Sequence, residues 1–176
     1  MRQTEERETA MEPNTAMRTA GMHPAAQITE NNMGLNAGSI ILTLEGEMPV
    51  EFLNAGDRVI TRDSGVAEIK AITARTIRTD AVSIAAGSLG HTRPERDVTV
   101  AAGQMLLVRD WRAEALTGSK QALMTAASLV DGEFVTIQRG VEMTVYEIEF
   151  DAPHVLYVDG LEVSSPVESK AMRQAA

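Results

Sequence analysis

Residues 49–59 read PVEFLNAGDRV, two short segments rich in apolar residues with a turn between them. The turn, Asn54-Ala55-Gly56-Asp57, supplies a glycine and Asx side chains, which make a tight reversal of the backbone cheap. The stretch therefore predicts strands over Pro49–Leu53 and Asp57–Arg62 that are joined by this turn.

The same alternation of short Val-, Ile- and Thr-rich segments with Gly, Asp-Gly or Pro continues on both sides of this stretch. It is typical of an all-β domain built from short twisted strands and lacking long helices. The other predicted strands are Ser39–Leu44, Ala67–Thr79, Val82–Ala85, Val98–Ala101, Met105–Val108, Phe134–Gln138, Val141–Phe150 and Val155–Val158. Further tight turns are predicted at Asp63-Ser64-Gly65, Asp131-Gly132, Arg139-Gly140 and Asp159-Gly160.

For three segments the sequence is compatible with more than one local structure. Ala67–Thr79 fits a helix face about as well as a strand, and its threonines favour a bent β-ribbon. Gln121–Val130 fits a ten-residue helix, or a short strand followed by one helical turn. In Val141–Phe150 the apolar positions change face between Val145 and Tyr146, which predicts a bulge or bend there.

The domain boundaries follow from composition. The first valine is Val50, every aromatic residue lies beyond residue 51, and Ile28 is the only aliphatic β-branched residue before residue 34. Burial there cannot offset the entropy of ordering the chain, so residues 1–33 are predicted to be a disordered, dispensable tail. We expect the fold to span residues 34–165, with residues 166–176 as a flexible C-terminal tail. Its core should include apolar strand positions, namely Phe52, Val59, Val100, Leu106, Ile148 and Val158.

Charge and composition exclude several classes of function. Sixteen basic and 25 acidic side chains give a net charge of −9, which argues against nucleic acid or an anionic membrane as partner. The absence of cysteine excludes disulfides and thiolate catalysis. No apolar run reaches the roughly 18 residues of a spanning helix, and Met1–Ala10 has no apolar region of a secretory signal. We expect a soluble protein, cytoplasmic by default, and leave leaderless export, a protein partner and the oligomeric state open.

Few side chains offer chemistry. The three histidines are His23 in the predicted tail, His91 in a glycine-rich loop and His154 in a turn before a strand. They form no pair at helical spacing, and neither a calcium loop nor a nucleotide-binding glycine motif occurs, so no metal and no cofactor are expected.

Four segments in order nevertheless resemble the Hedgehog/intein, or Hint, family, in particular its bacterial stand-alone branch. The resemblance covers residues 34–165 and rests on Gly34–Glu45, Pro49–Val59, Ile84–Leu89 with Arg93–Val100, and Val145–Asp151 with Val155–Gly160. It implies a horseshoe-like all-β fold with pseudo-twofold character. Active members cleave the peptide bond before their own first residue, using a nucleophile together with a Ser or Thr and a His.

Position by position, the resemblance implies that the cleavage groups are missing. The nucleophile falls on Gly34, the Ser or Thr on Ala101 and its His on Gln104. The closing His falls on Pro153, or on His154 if the turn shifts by one residue. The asparagines are residues 14, 31, 32, 36 and 54 only, so splicing by asparagine cyclisation at the C-terminal end of the domain is excluded.

The favoured interpretation is therefore a degenerate Hint scaffold that acts as a binding or structural module. One alternative is an autoprocessing domain that cleaves itself by acyl shift with Ser39 and His154. Another is an unrelated, closed β-barrel without an internal twofold relation.

Overall fold

The computed structural model describes residues 33–166, so the tails predicted over residues 1–33 and 166–176 lie outside it, apart from Met33 and Pro166. The described chain is mostly β, as predicted. Its elements are β1 (Leu35–Asn36), β2 (Ile40–Thr43), β3 (Gly46–Pro49), β4 (Arg58–Thr61), β5 (Gly65–Glu68), β6 (Ala71–Ile84), β7 (Val98–Ala101), β8 (Met105–Val108), α1 (Trp111–Thr117), β9 (Ala122–Thr125), β10 (Val135–Glu149), β11 (Val155–Val158) and β12 (Leu161–Ser164).

The strands form two open sheets in which every pairing is antiparallel. One sheet has the order β1-β10-β6-β7. The other has the order β3-β2-β4-β11-β12-β8-β9, with β5 added beside β4. Because neither sheet closes on itself, the alternative of a closed barrel is wrong.

Two long strands, β6 and β10, form a ribbon that carries one register shift, between Gln138 and Val141. The tight turn predicted at Arg139-Gly140 is therefore wrong: Gly140, at φ +63°, lets the strand continue through an irregularity. The strands predicted separately at Phe134–Gln138 and Val141–Phe150 merge into β10, and Val82–Ala85 merges into β6.

The change of face seen in the sequence of β10 is real, but no bulge accompanies it, because pairing with β6 is continuous across Val145 and Tyr146. Met143 and Val145 pack with Ala81 in a small cluster. Ile148 and Phe150 belong to the main core. Each half of the strand thus buries its apolar side chains in a different cluster.

The prediction of a strand over Pro49–Leu53 is wrong. β3 ends at Pro49 and Val50–Phe52 forms a 3-10 turn, which directs Val50 and Leu53 inward and leaves Phe52 69% exposed. The core prediction is wrong for Phe52 and confirmed for the other five positions, which are all buried: Val59, Val100, Leu106, Ile148 and Val158.

Two shorter segments complete the comparison with the sequence. Within Gln121–Val130 the strand β9 is followed by a 3-10 turn over Ala126–Leu129, which confirms the second of the two interpretations. Helix α1 was not predicted. Asp110 caps its start by accepting the Arg112 N–H, and Gly118, at φ +74°, ends it. No helix within residues 33–166 is long and apolar enough to cross a membrane.

Candidate functional site

The two ends of the described chain meet at a small cleft that one side chain bridges. The Gly34 N–H donates to Gln104 Oε1 over 3.1 Å, and Gln104 Nε2 donates to the Ser164 carbonyl over 2.9 Å. Gln104 is only 2% exposed. Because both ends of its amide are used, Gln104 ties the segment before β1 to the end of β12.

The backbone around Gln104 explains why its side chain points into this cleft. The residue ends the reversal between β7 and β8, where its N–H donates to the Ala101 carbonyl and its own carbonyl accepts from the Ala126 N–H. Ala101 is fully buried and pairs with Ala81 of β6. The position that the resemblance assigns to a His is therefore occupied by the uncharged amide of Gln104. The position that it assigns to a Ser or Thr is occupied by the methyl group of Ala101.

Gly34 has neither the space nor the backbone conformation for a side chain. Its φ is +134°, a region that L-residues rarely adopt. A Cβ built on Gly34 would lie 2.9 Å from Val145 Cβ and 3.3 Å from the Tyr146 carbonyl oxygen. Any residue other than glycine at this position would have to displace β10.

The peptide bond between Met33 and Gly34 is held from both sides. Arg75 Nη2 donates to the Met33 carbonyl over 3.3 Å and forms an ion pair with Glu147. Gln104 accepts the N–H of the same peptide bond. The bond that the resemblance marks for cleavage is therefore fixed by hydrogen bonds at its carbonyl and at its amide.

His154 lies in a turn next to this cleft, with its ring held by a carboxylate. Its Nδ1 is 2.7 Å from Asp63 Oδ2 and 3.1 Å from Ser64 Oγ. A carboxylate only accepts, so Nδ1 carries the proton and donates it to Asp63. Nε2 is then the unprotonated nitrogen of a ring that is 14% exposed and packs edge-on against Phe150, with 5.5 Å between the ring centroids.

Backbone hydrogen bonds connect the histidine turn to the cleft. The His154 N–H donates to Ser165 Oγ and its carbonyl accepts from the Ser165 N–H. Asp63 Oδ1 accepts the Val155 N–H over 2.8 Å. Burial alone would raise the pKa of Asp63, but the Val155 N–H and the His154 ring together lower it below its ordinary value.

The other candidate from the sequence, Ser39, is buried between β1 and β2. Its N–H donates to the Asn36 carbonyl and its carbonyl accepts from the Val50 N–H. Its hydroxyl has no hydrogen-bond partner within residues 33–166, and His154 is not among its contacts. The structure therefore does not bring Ser39 and His154 together.

The other described positions named from the sequence do not line the cleft. Pro153 and His91 are exposed, and His23 lies outside the described residues. Sequence reasoning missed Arg75, Asp63 and Ser165. Asp63 reads as an ordinary turn residue, and nothing in the local pattern connects it with a histidine 91 positions further on. Among residues 33–166 no three His, Asp or Glu side chains cluster so that they could hold a metal ion.

Comparisons with known proteins agree on the architecture. A family model described as the Hint domain matches residues 33–170. A comparison with curated protein sequences finds no match. The solution structure of a bacterial intein-like domain from Clostridium thermocellum superposes with a TM-score of 0.56 at 18% identity, covering 76% of this chain and 98% of that one.

Two inteins superpose somewhat less closely. The Msm DnaB1 intein splicing domain bound with zinc gives a TM-score of 0.51 at 16% identity, covering 74% of this chain and 98% of its own. The TvoVMA intein gives 0.51 at 11% identity, covering 76% and 98%. At these identities the structures establish a shared fold.

Proposed function

This chain belongs to the Hint domain family, and we propose that it is a non-splicing member whose scaffold serves as a binding or structural module. The module holds the two ends of its own folded chain together at the cleft bridged by Gln104. The two ends of the described chain therefore lie close together, because Gly34 and Pro166 both line this cleft.

The observation that carries this proposal is the geometry of Gly34. Acyl shift requires a nucleophilic side chain within about 3 Å of the preceding carbonyl. Gly34 has no side chain, and a Cβ would lie 2.9 Å from Val145 Cβ with the backbone at φ +134°. Gly34 thus carries no nucleophilic side chain, and the atoms around it leave no room for one.

The environment of Gln104 supports the same interpretation. Cleavage requires a group that protonates the departing amine, and a glutamine amide has no titratable proton near neutral pH. Both ends of this amide are already engaged, by Gly34 and by Ser164. The third group that the family uses for cleavage, a Ser or Thr hydroxyl, is also missing. Its position is occupied by Ala101, whose methyl group neither donates nor accepts a hydrogen bond.

The test is intact mass spectrometry of the purified full-length chain, incubated for several days near pH 7 with and without thiol or hydroxylamine. We expect a single unchanged mass in every condition. The variant Gly34→Cys should also stay intact, since groups that act as a unit in catalysis are not restored one at a time. A wild-type fragment that begins at Gly34 or Ser39 contradicts the proposal.

A second candidate, self-cleavage with His154 as base, is favoured by one observation. Asp63 holds the Nδ1 proton of His154, which is how a carboxylate orients a histidine for general-base work at Nε2. This candidate predicts a fragment whose formation is abolished by His154→Ala and by Ser39→Ala. The variant Ser64→Ala serves as the matched control, because it alters a neighbouring hydroxyl and leaves the Asp63 contact in place.

A further inference from the structure

Three arginines from separate parts of the chain converge on one buried carboxylate, away from the cleft. Glu162 of β12 has a side chain that is only 3% exposed. Its Oε1 accepts from Arg62 over 2.9 Å, from Arg93 over 3.1 Å and from Arg109 over 2.8 Å. The three guanidinium groups are therefore neighbours, each within one hydrogen bond of the same oxygen.

The positive charge of this cluster exceeds what Glu162 needs. One guanidinium neutralises one carboxylate, so three of them leave a charge of about +2 in the cluster. The acidic residues that adjoin two of these arginines in sequence are engaged elsewhere, Asp63 by His154 and Asp110 by Arg112. The ion pairs of Arg62, Arg93 and Arg109 that the structure shows all join the Glu162 carboxylate.

One arginine of the cluster, Arg93, lines a cavity large enough for a small molecule. Arg93 and His91 line a cavity of about 490 Å³ together with Arg96 and Tyr157. Arg93 and His91 also line an adjoining recess of about 30 Å³, which Arg109 and Glu162 line as well, whereas Arg62 lines neither space. The larger volume lies within the range of ordinary ligand sites.

The guanidinium groups keep donors for a ligand. Their side chains remain 29%, 39% and 32% exposed for Arg62, Arg93 and Arg109. A guanidinium has five N–H donors in a planar fork that matches phosphate oxygens, and each of these uses only part of its set on Glu162. Two excess positive charges match one phosphate dianion.

We propose that this cluster is a binding site for a small molecule that carries a single dianionic phosphate group, with Glu162 holding the arginines in place. The other charged residues that line the cavity explain the restriction to one phosphate. Arg96 is paired with Asp159, and Glu47 and Glu95 line the same cavity, so these carboxylates repel a second anionic group. The net charge of −9 likewise disfavours long polyanions.

The first test is isothermal titration calorimetry of the full-length chain with inorganic phosphate at low ionic strength and about pH 8, where phosphate is a dianion. We expect one saturable site per chain, competition by sulfate and no competition by chloride at the same concentration. Glycerol phosphate, titrated in parallel, distinguishes a phosphate ester from free phosphate as the ligand. Tighter binding of glycerol phosphate than of inorganic phosphate indicates that the cavity holds the ester, and equal binding of the two indicates that the site binds free phosphate. Non-saturating heats like those of chloride overturn the proposal.

The second test uses variants. Arg93→Met and Arg109→Met should each weaken phosphate binding by at least about tenfold, the typical value of a charge-assisted hydrogen bond. Arg139→Met, in a side chain that is 72% exposed and paired with Asp80, is the matched control and should change the affinity less than about twofold. Thermal denaturation verifies that each variant folds. Affinities that are equal in the wild type and both cluster variants overturn the proposal.

Glu162→Gln separates a ligand site from a charge-balancing cluster. It removes the negative charge that competes with the anion, so phosphate should bind at least as tightly as in the wild type. If the arginines only balanced Glu162, the wild type would bind no phosphate, and this variant, with its arginine charges unbalanced, would bind it. Should Glu162→Gln fail to fold, the comparison of Arg93→Met and Arg109→Met with Arg139→Met decides alone.

Discussion

The cleft at Gly34 and the turn at His154 lie on either side of the dipeptide Ser164-Ser165, yet they are held in opposite ways. In the cleft, the uncharged and buried amide of Gln104 joins Gly34 to Ser164. In the turn, the imidazole of His154 meets Asp63, a carboxylate that is 41% exposed. Hydrogen bonds in the cleft have no water to replace them, whereas those of the turn do. Stability should therefore depend on the cleft, and response to pH on the turn.

The largest expected effect follows from Gln104→Leu. Leucine fills a similar volume but leaves the buried Gly34 N–H and the Ser164 carbonyl without this partner, so we expect a loss of about 3–5 kcal/mol in the free energy of unfolding. Urea denaturation measures it. Gln138→Leu, at an exposed position of β10, is the matched control and should change stability by less than about 0.5 kcal/mol. Equal losses for the two variants would contradict the special role of the cleft.

Gly34→Ala should produce the next largest loss, about 2–4 kcal/mol, because strain at φ +134° adds to the clash with Val145. Gly38→Ala is the matched control: its φ is +84°, and a Cβ there meets nothing within 4 Å. The control should therefore lose only the strain energy, about 1 kcal/mol. Equal losses measured by urea denaturation would mean that β10 moves aside and that Gly34 is not closed to a side chain.

The sequence predicts the parts of the fold that depend on local pattern. β7 and β8 have the predicted bounds, because each is a short run of apolar or β-branched residues, and Asp97, Gly103 and Arg109 interrupt the chain around them. β12 was missed although its sequence, Leu-Glu-Val-Ser, alternates apolar and polar residues, because a run of only four residues is too short to distinguish from the polar tail that follows it. Phe52 was misplaced because an apolar residue after Pro49 fits a strand and a 3-10 turn equally well.

For the site, sequence reasoning identified positions but not contacts. Gly34, Ala101 and Gln104 were found through resemblance, which compares positions along the chain. The hydrogen bond between Asp63 and His154 and the ion pairs of Glu162 join residues that lie 53 to 100 positions apart. No local sequence pattern marks such contacts. The lack of space for a side chain at Gly34 is caused by Val145 of β10, a strand that lies next to Gly34 only in the folded chain.

Asp63→Asn tests the turn through pH. Because the folded-state pKa of Asp63 is lowered, its charge stabilises the fold above the unfolded-state pKa of about 4, and this stabilisation is lost as the pH falls through the folded-state value. At pH 7 we expect the variant to lose at most about 1 kcal/mol, since the side chain is partly exposed. The gap to the wild type should close as the pH falls below about 4 in urea denaturation series. A gap that widens on acidification would contradict the assigned hydrogen bond.

Ser64→Ala should have the smallest effect, a change of less than about 0.5 kcal/mol. The Ser64 hydroxyl contacts His154 Nδ1 over 3.1 Å and Thr61 Oγ1 over 2.8 Å. After its removal Nδ1 keeps its shorter bond to Asp63, and Thr61 keeps the Ser64 N–H. No polar group is stranded, and the freed space faces water. A loss above about 1.5 kcal/mol, measured by thermal and urea denaturation beside Asp63→Asn, would mean that the hydroxyl rather than the carboxylate holds the ring of His154.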